Sequence, residues 1–176
     1  ASSGAIRVNA GVVLTLNGGQ IIYNRTASSA DNGGAVNAVA AGRMSFSGNP
    51  VVKNNYDANG VERNVVLRST LTTLPSVIAP LTDGAEIGII MQTPGVFTIS
   101  SDTSYNDASK FFSDDSGYMV GKNAAGQLLL GAPRTVTRKM DKGDTIDTTT
   151  VAGGSAPTHA DPTKAAEGGT VYFFTG

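Results

Sequence analysis

Gly4-Ala5-Ile6, Leu14-Thr15-Leu16, Gly18, Ile21-Ile22 and Asn24 are followed 30 residues later by Gly34-Ala35-Val36, Met44-Ser45-Phe46, Gly48, Val51-Val52 and Asn54, in the same order. A constant offset over two consecutive stretches is the mark of a repeat whose units stack. Each unit holds three short apolar pieces, centred in the first on Ile6, Leu14 and Ile22 and separated by turns bearing Gly and Asn. Within a piece, apolar side chains alternate with small or polar ones, so one face points inward and the other outward. A helical period of 3.6 does not fit this pattern.

If the units stack in parallel about 4.8 Å apart, Leu14 lies over Met44, Leu16 over Phe46 and Ile22 over Val52. Asn24 and Asn54 share the parity of Ile22 and Val52, so the spacing predicts an inward-facing asparagine ladder at a turn. The alternative is that each Asn serves only its own turn, where it tolerates the left-handed conformation.

A third, degenerate unit follows in Asn64-Val65-Val66-Leu67, residues 71–74, Val77-Ile78 and Leu81, with Pro75 and Pro80 at bends. Residues 86–91 and 96–99 read as a strand, a turn at Thr93-Pro94-Gly95 and a second strand. Residues 118–120 and 127–130 read as a closing hairpin. Between them, Phe111-Phe112 is suited to plug the open end, because the last unit of a stack otherwise exposes its apolar interior. After Gly131 the chain turns rich in Thr, Gly and Ala. Residues 132–176 are therefore either a spacer or a tail folding back through Thr135-Val136-Thr137 and Val171-Tyr172-Phe173-Phe174 as edge strands.

Composition narrows the function. The chain has 176 residues, 22 Gly, no Cys, no Trp and a formal net charge of −1. It suits one turn-rich all-β core, lacks the basic footprint that nucleic acid demands, and has no disulfides, thiolate metal sites or cysteine nucleophiles. No apolar run reaches the roughly 18–20 residues of a membrane span. The start at Ala1, without a signal segment, reads as a mature domain or an excised fragment.

Gly33-Gly34-Ala35-Val36, residues 44–55 and Asn64-Val65-Val66-Leu67, with the ending around residues 112–118 and Leu128-Leu129-Leu130, resemble the Gly-rich repeats of large bacterial surface proteins. That family is adhesin-like and pectin-lyase-like: right-handed parallel β-helices of about three strands per coil. The resemblance spans roughly residues 4–131 and implies the C-terminal coils and cap of a longer helix, with upstream coils or domains of the same polypeptide as neighbours. It also implies an extracellular location on the bacterial cell surface or cell wall. The expected role is a non-catalytic rigid stalk or adhesive surface for a host or microbial glycan or a surface protein. The alternative is a polysaccharide lyase or glycoside hydrolase on the same scaffold.

Catalysis on such a scaffold needs a constellation on one outer face, typically paired carboxylates. Asp31, Asp57 and Asp83 are the acids to consider, and each falls at a turn-like place where Asp bonds its own backbone. His159 lies in the tail without the partners of a triad or zinc site. Asp102, Asp107, Asp114 and Asp115 lack the spacing of a helix-loop-helix calcium site. No catalytic residue, metal or cofactor is assigned. Tyr23 and Tyr56, with Tyr105 further along, are the aromatics suited to stack on sugar rings, and Tyr23, Tyr56, Lys53 and Asp57 form the candidate binding set.

Overall fold

The computed structural model describes residues 4–27, 34–39, 42–140, 145–155 and 171–175. The chain is all-β. Nine strands form three successive triplets: β1 Ile6–Val8, β2 Val13–Leu16 and β3 Gln20–Ile22; β4 Val36–Ala38, β5 Arg43–Gly48 and β6 Val51–Lys53; β7 Val65–Leu67, β8 Ser76–Leu81 and β9 Glu86–Met91. Every pairing among them is parallel, first strand on first and second on second, with Ile6 beside Val36, Val36 beside Val65, and Leu14 beside Met44. One sheet runs β1-β4-β7-β9-β6-β3, and a second runs β2-β5-β8.

The stacking follows from the alternation. Leu16, Phe46 and Val77 occupy one register position in successive triplets and are all buried. Ile21, half-buried, and the buried Val52, Ile87 and Phe111 share a second register position. Gly48 is needed at its corner: its φ is +64°, and a Cβ there would lie 2.7 Å from the Asn17 carbonyl oxygen, a conformation and an approach that Gly tolerates best.

The register departs from a uniform 30 at the third strand. Gln20 pairs with Val51, Ile21 with Val52 and Ile22 with Lys53, so the expectation of Ile22 over Val52 is corrected by one residue. The cause is one extra residue in the corner Gly48-Asn49-Pro50, compared with Gly18-Gly19. Because side chains alternate with period two, this slip decides which neighbour faces inward.

The third triplet differs in two further ways. Residues 71–74 precede the strand instead of forming it, and β8 carries a bulge: Phe46 pairs with Val77, yet Gly48 pairs with Leu81. Pro80, with no N–H to give a ladder, sits in that bulge. In the earlier triplets a loop separates the third strand from the next first strand. Here β9 runs straight on, its start pairing with β6 and its end with β7.

A closing layer follows. The short 3-10 helix Ala108–Lys110 leads into β10, Phe111–Ser113, which pairs in parallel with β9. Residues 96–99 do not form the second strand expected there. Val96 instead bridges to Leu129 of a hairpin made by β11, Met119–Lys122, and β12, Leu128–Gly131. Phe111 contacts both Phe46 and Phe97 edge-on, at ring-centroid distances of 5.5 and 5.7 Å, so one aromatic of the Phe111-Phe112 pair does enter the core.

The tail strands read at 135–137 and 171–174 fall within β13 Pro133–Met140 and β15 Val171–Thr175, which join β14 Thr145–Ala152 in an antiparallel sheet. That sheet packs on the closing hairpin through glycine, since a Cβ on Gly121 would lie 1.9 Å from Ser155 Oγ and one on Gly131 2.0 Å from the Gly153 carbonyl oxygen. Among the described residues no helix is long and apolar enough to cross a membrane.

Candidate functional site

A hydrogen-bonded set of polar residues gathers at the corners that follow β3 and β6. Tyr23 and Asn54 take left-handed φ values of 57° and 56° there, turning the chain so that the next residue, Asn24 or Asn55, points back into the stack. Asn55 Oδ1 accepts from Asn24 N at 3.0 Å and Asn24 Nδ2 at 2.8 Å. Asn64 Oδ1 accepts in the same manner from Asn55 N at 3.1 Å and Asn55 Nδ2 at 2.8 Å. Asn55 Nδ2 also reaches the carbonyls of Ile21 and Lys53. The ladder therefore exists, with Asn55 as its second rung in place of Asn54.

Its last rung is an acid. Asn64 N donates to Asp114 Oδ2 and Asn64 Nδ2 to Asp114 Oδ1, both at 2.6 Å. Burial pushes the Asp114 carboxyl up to about 6 against the opposing effect of the Asn64 hydrogen bonds, and the nearby Glu62 adds to the rise while Arg63 offsets part of it. Gly88 makes this meeting sterically possible: a Cβ on it would fall 2.2 Å from Asn64 Nδ2 and 2.3 Å from Asp114 Oδ1. Glu62 Oε1 closes the corner by accepting from Asn54 N and Asn64 Nδ2.

The four candidate binding residues all lie at or beside this corner but are not equivalent. Tyr23 is 74% exposed. Tyr56 is half-buried, and its backbone bridges Arg25 and Glu62. Lys53 is ion-paired with Glu86 on the outer wall. Asp57 is buried, with Oδ1 accepting from Asn59 N and Val61 N and Oδ2 paired with Arg63 Nε at 3.1 Å. Its carboxylate thus holds the turn, as the reading of Asp57 as a turn-forming residue expects.

Of the acids weighed for catalysis, Asp57 and Asp83 are each engaged in a separate ion pair. Asp83 pairs with Lys110 at 3.5 Å, at the turn before β9, far along the chain from the Asp57 turn; Asp31 and His159 lie outside the described residues. Asp102 and Asp107 each accept from a Ser two residues on, through both its N and its Oγ, and the Ser hydroxyl bonds hold both carboxyls below the usual range. Asp115 Oδ1 accepts from Gly117 N. Tyr105 is 39% exposed. Among the described residues no three His, Asp or Glu side chains stand close enough to share a metal ion.

Two clefts flank these elements. An apolar one of about 370 Å³ lies between the closing hairpin and β14, lined in part by Met119, Val120, Val151 and Ala152. A polar one of about 420 Å³ opens on the outer wall beside β7 and β9. Sequence reading missed this second cleft and the ladder's Asn64 and Asp114, because both depend on β9 carrying straight through a corner where the repeat had a loop. No protein-family model matches the chain, and neither curated proteins nor solved structures provide a match.

Proposed function

We propose that this chain is a right-handed parallel β-helix module of about three strands per coil, serving as a structural and adhesive part of an extracellular bacterial surface protein. Its open strand edges β1, β2 and β3 receive upstream coils of the same polypeptide, and its closing layer ends the stack. The observation that carries this reading is the unbroken relay Asn24, Asn55, Asn64, Asp114. It ties all three triplets and the closing layer into one body, which is what a rigid presenting element requires. The charged groups at the corner support the same view, since Asp57, Arg63, Lys53 and Glu86 are engaged with one another. A flat wall of stacked strands is also the surface that solenoids use to meet ligands.

The test is incubation of the purified chain with plant, mucin and microbial polysaccharides, with and without Ca²⁺, measuring both retention and release of new chain ends. Retention without release supports an adhesive module. Release of new ends overturns the non-catalytic reading.

A further inference from the structure

We propose that the polar cleft on the outer wall is a subsite for one or two units of an uncharged polysaccharide. This rests on the adhesive half of the reading above and gives it a place and a ligand class. The cleft lies where the outward-facing Val66 of β7 pairs with Ile90 of β9. Val66 is buried beneath the cleft, so the apolar surface that a sugar ring could meet is that of the half-buried Ile90.

Around this surface stand Arg63, Ser69, Gln92, Thr93 and Asp115. Together they offer donors and acceptors of every kind that adjacent sugar hydroxyls use: a guanidinium, an amide, two hydroxyls and a carboxylate. Their positions are partly fixed in advance. Gln92 Oε1 accepts from both Ser69 N at 3.0 Å and Ser69 Oγ at 3.1 Å, which turns its Nε2 donor outward. Arg63 is held by Asp57, and Asp115 by its own turn. Side chains ordered before binding lose less freedom on contact. The volume of about 420 Å³ falls within the range of ligand pockets.

Charge selects the class of sugar. The Arg63 guanidinium in the cleft is already paired with Asp57, whereas the exposed Asp115 carboxylate makes no ion pair among the described residues. An acidic glycan would bring a second negative charge against it. A neutral hydroxylated chain meets no such penalty, and its hydroxyls suit the carboxylate as an acceptor.

The experiment is a titration of the isotopically labelled chain with cellohexaose, xylohexaose, mannohexaose and, as the acidic arm, hexagalacturonate, following backbone amide shifts. Saturable shifts with at least one neutral hexamer, centred on residues 69, 90–93 and 115 and in about the millimolar range, are expected, with none from hexagalacturonate. Gln92→Ala and Ile90→Ala should each weaken that response about fivefold or more, read on variants whose amide spectra away from the cleft show that they remain folded. A blank at these amides with every neutral hexamer, an equal response to hexagalacturonate, or undiminished binding by both variants overturns the site. Retention on a polysaccharide with these amides unmoved overturns the cleft alone and leaves the adhesive reading in place, so the two failures are separable.

Discussion

Asn64 gives both its backbone N–H and its side-chain amide to the two oxygens of Asp114, a residue 50 positions further on. Since Asn64 also receives the bonds of Asn55, this contact is the joint between the repeated triplets and the layer that closes them. An acid occupies the position where the pattern calls for another Asn, and that sets the pH behaviour of the joint.

Asp114 holds its proton up to about pH 6 in the folded chain, against a usual value of 3.8. The folded state therefore binds the proton more tightly than the unfolded one. The associated stability is fully present below pH 3.8 and is lost as pH rises through 6. The loss by pH 7.5 is on the order of 1–3 kcal/mol. Asp102 and Asp107, whose carboxyls are held low, act in the opposite sense only when pH falls below the ordinary carboxylate range. Melting temperatures measured from pH 4.5 to 7.5 should fall as pH rises. Asp114→Asn should flatten that slope and melt higher than wild type at pH 7.5, because one amide oxygen can accept both donors of Asn64, as Asn64 and Asn55 Oδ1 do for the preceding rungs. A profile that rises toward neutral pH would contradict the burial of this carboxyl.

The neighbouring residues Asn54 and Asn55 should respond very differently to substitution. Asn55 is fully buried and bonds through both ends of its amide. Asn55→Ala leaves several polar groups without partners and should cost about 2–4 kcal/mol. Asn54 supplies a left-handed backbone, φ 56°, which Gly adopts freely. Asn54→Gly should therefore shift stability by less than about 0.5 kcal/mol. Urea denaturation of the two variants decides the register: equal costs would restore Asn54 to the ladder.

This pair also shows how far the sequence could be read. The offset between Leu14-Thr15-Leu16 and Met44-Ser45-Phe46 sets a parallel register that the strands obey, because both segments alternate apolar and polar residues at the same spacing. At the corner, the dipeptide Asn54-Asn55 admits two, and only the extra residue in Gly48-Asn49-Pro50 chooses between them. Asp114 was less legible still. It lies outside the repeat, in a stretch whose partner is set by the straight passage of β9, and no spacing in the chain points from residue 114 to residue 64. The commitment of Asp57 to its turn was foreshadowed by the residues that follow it, Asn59 and Gly60, whereas the polar cleft joins residues of three separate segments and leaves no local trace.

Gly88 should be intolerant of any side chain although it lies in a strand. An added methyl would occupy the space of Asn64 Nδ2 and Asp114 Oδ1, and would also lie 2.8 Å from Phe112 Cζ. Relief requires β10 to move off β9. Gly88→Ala should cost about 2 kcal/mol or more, with the loss concentrated in the closing layer. Hydrogen exchange should quicken at residues 111–114 while the amides of β4 and β5 stay protected. Uniform quickening throughout would mean that the layer and the triplets open as one unit.

Phe111 and Phe112 provide the last separation, between plugging the core and merely covering it. Phe111 is 5% exposed and meets Phe46 and Phe97, both fully buried, edge to face. Its truncation to Ala removes a large apolar side chain from the centre of three layers and should cost about 3–5 kcal/mol. Phe112 is half-buried and pairs in register with Gly88 on the opposite face of β10, so Phe112→Ala should cost less, about 1–2 kcal/mol. Phe46→Asp places an unpaired charge under the same ring and should leave the chain unfolded at neutral pH. Thermal melts of the three variants rank the sites, and a Phe112→Ala cost equal to that of Phe111→Ala would mean that both rings, rather than one, close the stack.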